Sequence, residues 1–217
     1  MREGHREKAR QACSSRKRCR PGCPLRSTSP FRLPGTENLS PSTIRHFELE
    51  YQQTGPLKGK ITFPLNEPDR KPHCAGTLSQ SGVERYFISD NRSGSCMQNL
   101  SHSFMGYNAC GFNWPTPHLI VVQECKTVWW LWQNGFHSAA AILTAIPAQK
   151  QVRVLLAATE PRGHIWILTS AGSSGRTFAA QVSRHVSPAR WIHHTTIRSH
   201  SLASCSPSEL TAALWKP

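Results

Sequence analysis

Residues 118–182 read HLIVVQECKTVWWLWQNGFHSAAAILTAIPAQKQVRVLLAATEPRGHIWILTSAGSSGRTFAAQV. Nineteen of these 65 residues are Leu, Ile, Val or Phe, against 18 in the first 117, so this is where a core is expected. Short apolar runs alternate with turn signals. Leu119–Val122 and Val128–Trp132 precede Gln133-Asn134-Gly135. Val152–Leu156 precedes Glu160-Pro161-Arg162-Gly163, and Ile165–Leu168 precedes Gly172-Ser173-Ser174-Gly175, after which comes Thr177–Val182. Runs this short, rich in β-branched and aromatic residues, predict strands more than helices. The Ala-rich stretch at 139–146, closed by Pro147, predicts one helix near 137–146. The expectation is a short meander without internal repeats.

Outside this stretch the chain looks poor in core-forming residues. Leu, Ile, Val and Phe number 43 of 217, and the net charge is +14. Low apolar content with high charge leaves little burial to offset the entropy of ordering the backbone. The expected fold class is therefore a largely disordered or irregular chain with a small β-rich (α+β) core and no recognisable fold. Four regions follow: a basic disordered arm at 1–42, a Pro/Gly/Ser-rich region at 43–117, the core at 118–182, and a basic, disordered His/Ser-rich tail at 183–217. Nine of the sixteen prolines fall before residue 73, which argues against long helices there. One hairpin is expected at 46–63, with acidic residues on its first strand near Lys58 and Lys60 on its second.

Charge is unevenly distributed. Residues 1–33 carry a net +8, 34–92 are balanced, 93–149 hold only Glu124 and Lys126, and 150–217 carry +6. The densest cluster is Arg16-Lys17-Arg18-Cys19-Arg20, and Arg16, Lys17, Arg18 and Arg20 form the one site assigned from sequence. Such a run suits nucleic acid, another polyanion or a nuclear import receptor, and places the chain in the nucleus ahead of the cytoplasm. Its bland counterpart is a solvated charge run, and no aromatics are interleaved with it to stack bases. Arg outnumbers Lys 18 to 8, a ratio that six Arg codons against two for Lys also give without selection.

Other chemistries lack spacing. Cys13, Cys19 and Cys23, with His5 upstream, make no second ligand pair, and His73-Cys74 lies about 50 residues on. His185, His193, His194 and His200 have no carboxylate or Cys partner in sequence, so no metal and no cofactor is expected. Gly172-Ser173-Ser174-Gly175 is not a nucleophile elbow and reads as a loop. No phosphate-binding loop or dinucleotide fingerprint is present, and Glu67 and Asp69 flank Pro68 without forming a convincing acid/base pair. The chain starts without an apolar leader, so secretion is not expected and the sequons at Asn38, Asn91 and Asn99 have no meaning. Residues 127–149 are uncharged and long enough to span a bilayer, but Gln133–Ser138 places polar groups near the middle. The sequence thus reads as a non-enzymatic, orphan-type protein from a recently originated or non-selected reading frame. At most it binds polyanions nonspecifically through residues 1–33, with membrane association through 127–149 as the alternative.

Overall fold

Leu119–Val122 and Ile165–Leu168 lie side by side at the centre of a parallel sheet. The structure, a computed structural model, describes residues 39–54, 57–64, 74–78, 84–88, 108, 115–144, 146–186, 189–197 and 206–214. In chain order its elements are α1 (Pro41–His46), β1 (Glu50–Tyr51), β2 (Ile61–Pro64), β3 (Cys74–Leu78) and β4 (Glu84–Ile88). There follow β5 (Thr116–Val122), α2 (Cys125–Gln133), β6 (Ala139–Ala141), α3 (Gln149–Ala158), β7 (Thr159–Ser170), α4 (Ser173–Val186), β8 (Trp191–Ile197) and α5 (Pro207–Leu214). The described elements belong to one unit, 32–217.

β5 to β8 form a four-stranded parallel sheet in the order β6-β5-β7-β8. Ile120 pairs with Ala139 and Trp166, and Trp166 pairs with His193. Both faces of this sheet are covered, which is why its strands read as continuous apolar runs instead of alternating ones. Ile120, Val122, Trp166 and Leu168 pack on one face with Val128, Trp129 and Leu131 of α2 and with Leu210 and Leu214 of α5. Leu119, Val121, Ile165 and Ile167 pack on the other with Val152 and Leu155 of α3 and Phe178 and Val182 of α4.

β1 to β4 form a second, antiparallel sheet in sequential order, with Glu50 opposite Thr62 and Cys74 opposite Ile88. Ile61 and Phe63 are buried and join the α2 side of the core, where the Phe63 ring meets Trp129 edge-on at a centroid distance of 4.9 Å. In the segment expected to form a hairpin, residues up to His46 are helical, Ser40 caps that helix, and Glu48 turns the chain with a φ of 52°. Asn134 and Gly135 close α2, the glycine at a φ of 89° that a side chain would resist.

The expectation of a largely disordered chain without a recognisable fold is wrong. A two-sided α/β sheet is built from 116–197, and the region expected to be a disordered tail contributes β8 and α5. Three runs expected as strands are helical: Val128–Trp132 lies in α2, Val152–Leu156 in α3 and Thr177–Val182 in α4. The stretch expected as a helix holds β6 instead, with Ala139, Ala140 and Ala141 all fully buried. Burial on both faces, not helix propensity, decides the conformation of these alanines. The buried set of α4, Gly175, Phe178, Ala179, Val182 and Val186, has helical spacing, which a window confined to 177–182 samples at only three positions.

The uncharged segment 127–149 is not one continuous helix on this fold. Residues 127–149 are divided among α2, β6 and the start of α3, and among the described residues no helix is long and apolar enough to cross a membrane.

Candidate functional site

Parallel strands followed by helices on opposite faces leave a crevice at their carboxyl ends, and ligands of open α/β sheets bind there. β5 and β7 meet this condition. The chain leaves β5 into α2 on one face and leaves its neighbour β7 into α4 on the other. Gln123 and Glu124 follow β5 at this switch point, and Ala171 and Gly172 follow β7 and lead into Ser173 and Ser174 at the start of α4.

The β7 side is built by close packing. Gly175 lies in the first turn of α4, where an added Cβ would meet the Ser170 carbonyl oxygen at 2.5 Å and the Thr169 Cβ at 3.0 Å. Only glycine lets the helix start this close to the strand. Gly172 precedes it at a φ of 142° and accepts the Arg176 amide, so the amides of Ser173, Ser174 and Gly175 are those that no intrahelical acceptor takes up. Thr169, buried beside this turn, is 3.0 Å from the Nε2 of exposed His194. Partial desolvation of its ring by the surrounding strand holds the His194 imidazole below its ordinary range. Together these groups give the crevice a positive helix end and two hydroxyls, a setting that attracts phosphate.

The β5 side supplies one carboxylate. Glu124 caps α2 by position, makes no side-chain cap bond, and pairs with Lys126 at 3.2 Å. In the loops leaving β5, β6 and β7 it is the sole acidic residue. Divalent ions that assist phosphoryl transfer are held by carboxylates, and in pairs about 4 Å apart. One ion-paired carboxylate with an amide and hydroxyls does not fit such a pair. Among the described residues no three His, Cys, Asp or Glu side chains are grouped to hold a metal ion.

A second cluster lies at the opposite, amino-terminal half of the sheet. His118 on β5, His164 on β7 and His193 on β8 stand in a row across adjacent strands. Their ring centroids are 5.2 Å and 5.1 Å apart, with ring planes within 30° of parallel. His164 Nδ1 lies 2.8 Å from His193 Nε2, and the Trp166 indole N–H points to His118 Nδ1 at 3.5 Å. The Trp166 ring also stacks on His193 at 4.0 Å.

No protein-family model matches the chain, and no curated protein matches it. Solved structures do. The chain is similar to the DnaG catalytic core at 15% identity, with a TM-score of 0.59 over 81% of this chain and 66% of that one. It is similar to the DnaG primase catalytic domain bound to ssDNA at 15% identity and a TM-score of 0.58, over 85% and 69%. The primase fragment of the bacteriophage T7 primase-helicase protein matches at 8% identity and 0.57, over 83% and 72%. The chain has the fold of primase catalytic cores. This is a TOPRIM-like α/β fold, and the chain spans about two thirds of the DnaG core's length.

The primase-core fold overturns two expectations. A chain of this architecture is not an orphan without a recognisable scaffold, and the absence of sequence motifs gave no ground for excluding an enzyme, because the fold is one that catalytic cores use. Arg16, Lys17, Arg18 and Arg20, together with Cys13, Cys19, Cys23, Glu67, Asp69 and His73, lie outside the described residues, and Cys74 is the first residue of β3. Gly172–Gly175, expected as a loop, spans the β7–α4 junction and the first turn of α4. His193 and His194, considered only for metal spacing, are placed on opposite faces of β8 by strand alternation, one in each cluster. His118, His164 and Trp166 were missed. Their signal is the alternation of His164-Ile165-Trp166-Ile167 beside that of Trp191-Ile192-His193, which sets imidazole and indole rings on one face.

Proposed function

We propose that the chain is a primase-like, nucleic-acid-related protein that takes phosphate groups of a nucleotide or polynucleotide into the crevice between β5 and β7. The observation that carries this reading is the start of α4 at the switch point. There, closely packed Gly175 brings the free amides and hydroxyls of Ser173 and Ser174 to the carboxyl end of β7. The shared fold supports it, since one of the similar primase domains is described as bound to ssDNA. The residues bind and orient in this reading: helix amides and serine hydroxyls hold the anion, Gln123 offers a neutral amide, and Lys126 offsets the charge of Glu124. No transfer step is assigned, because the donor set does not fit a metal pair.

Fluorescence anisotropy with a labelled single-stranded oligonucleotide tests the reading. Binding should weaken as salt rises, nucleoside triphosphate should compete for it, and Ser174→Glu should lower affinity about tenfold by placing charge against phosphate. Affinity that is indifferent to both Ser174→Glu and nucleotide would refute the crevice as the site.

A further inference from the structure

α3 and α4 share one face of the parallel sheet, where Val152 and Leu155 join a core with Phe178 and Val182. Their outer side carries Lys150, Arg153, Arg176 and Arg184, all four exposed. Neither helix contains Asp or Glu, and no described carboxylate pairs with any of the four. From 125 to 208 the chain holds eight Lys and Arg but one acidic residue, Glu160, at the start of β7 and so at the end of the sheet away from the crevice. Two of the four cations also stand against the field of their own helices. Lys150 and Arg176 lie in the first turns of α3 and α4, which hold no acidic residue, whereas the helix dipole favours anions there. Arg184, in the last turn of α4, is the one that complements its helix. Folding gains nothing from the other placements, but a polyanion laid over this side would neutralise like-charged side chains and both helix ends together.

We infer that the crevice ligand is a polynucleotide whose sugar–phosphate backbone leaves the crevice over the outer side of α4 and α3. The inference rests on the phosphate reading above and deepens it, from phosphate groups in general to a chain of them. Arg176 shares the first turn of α4 with Ser173 and Ser174, so the crevice and the basic side meet at that turn. A mononucleotide can engage that turn alone. Arg184 stands eight residues on, about 12 Å along the axis, and Lys150 and Arg153 are on the neighbouring helix, so only a succession of phosphates engages all four. The other exposed positions of the two helices are Gln, Ala, Ser, Thr and His. With no Trp, Tyr or Phe to stack bases, the contacts go to the backbone and carry no sequence preference. A lipid surface is the poorer fit, because the exposed large hydrophobics among the described residues, Ile146 and Trp191, both lie outside these helices.

The full chain should be titrated with fluorescent oligothymidines of about 4 and about 20 nucleotides, a range that spans one binding site of a single strand. The longer one should bind more tightly. Lys150→Gln/Arg153→Gln, which leaves every crevice residue in place, should lower its affinity about five- to tenfold. The slope of log affinity against log salt should fall by about 1.4, at about 0.7 for each single-strand phosphate contact. Nucleoside triphosphate should bind this variant as it binds the parent chain, and removing a first-turn cation should leave thermal stability equal or higher, so the lost affinity is not unfolding. Lys150→Arg/Arg153→Lys should keep the binding. Unchanged affinity and salt slope in the Gln variant, while Ser174→Glu still weakens binding, would overturn the basic side and leave the crevice standing. Equal affinity for the short and long oligonucleotides would overturn any path beyond the crevice. Binding to phosphatidylserine vesicles that the Gln variant loses, with oligonucleotide binding intact, would overturn nucleic acid as the occupant of this side. Absence of any oligonucleotide binding would overturn both readings.

Discussion

His164 and His193 share a hydrogen bond of 2.8 Å between ring nitrogens on neighbouring parallel strands. One ring must donate and the other accept, so the bond survives with one proton added to the pair but not with two. Burial, then neighbouring imidazoles, hold His118 and His193 below the ordinary value of 6.5. The unfolded chain therefore takes up protons first as pH falls through 6.5, and stability rises with pH across that window. Urea midpoints should fall between pH 7.5 and 5, and fall less in a His118→Gln/His193→Gln variant. His46 and His194 are shifted the same way, so part of the slope should remain. An unaltered slope in the double variant would show that the row is not its source.

Trp129 joins the two sheets. It is fully buried on α2 and meets Phe63 of the antiparallel sheet edge-on. Trp129→Ala should cost about 3–5 kcal/mol in chemical denaturation, the range for large aromatic truncations. Trp129→Phe should cost much less, because it keeps an aromatic contact at the junction.

Gly175→Ala should destabilise by about 1–3 kcal/mol, since its methyl would meet strand backbone that cannot yield. It should also weaken oligonucleotide binding by displacing the start of α4. Gly135→Ala makes a useful contrast. Open space surrounds that position, so any cost, about 1–2 kcal/mol, comes from its positive φ alone and should leave binding unchanged.

Thr127 predicts the opposite sign. Its hydroxyl is buried in α2 without a hydrogen-bond partner. Thr127→Val keeps the shape and removes the orphaned group, so it should stabilise by about 1 kcal/mol. A loss of stability would mean that the hydroxyl has a partner, such as an internal water.

The central strands were legible because burial on both faces writes them as unbroken Ile, Val and Leu runs. The helices were not, for the same reason. Val128-Trp129-Trp130-Leu131-Trp132 is apolar all round because α2 lies between two layers, and a run buried on every side has no period to read. β6 was hidden by composition, since three alanines suit a helix until the packing around them is known. Low overall apolar content suggested disorder because it averaged a dense core at 119–197 with long polar segments. The crevice was illegible in a different way. Ser173 and Ser174 form no motif, and they gain a role only from strand order, which puts β5 next to β7 although β6 lies between them in sequence.

That order also constrains how the chain assembles. His118 pairs with His164, 46 positions later, so the central pairing closes a long loop, whereas β5 and β6 meet across a single short helix. Local pairing precedes distant pairing when loop entropy dominates. During synthesis β5 therefore waits with one edge unpaired, presenting Leu119, Ile120 and Val121 to any other strand that arrives first. A chain that stalls before β7 emerges is exposed to aggregation at that edge, and conditions that slow elongation through 123–158 should lower its soluble yield more than delays placed after Ser170.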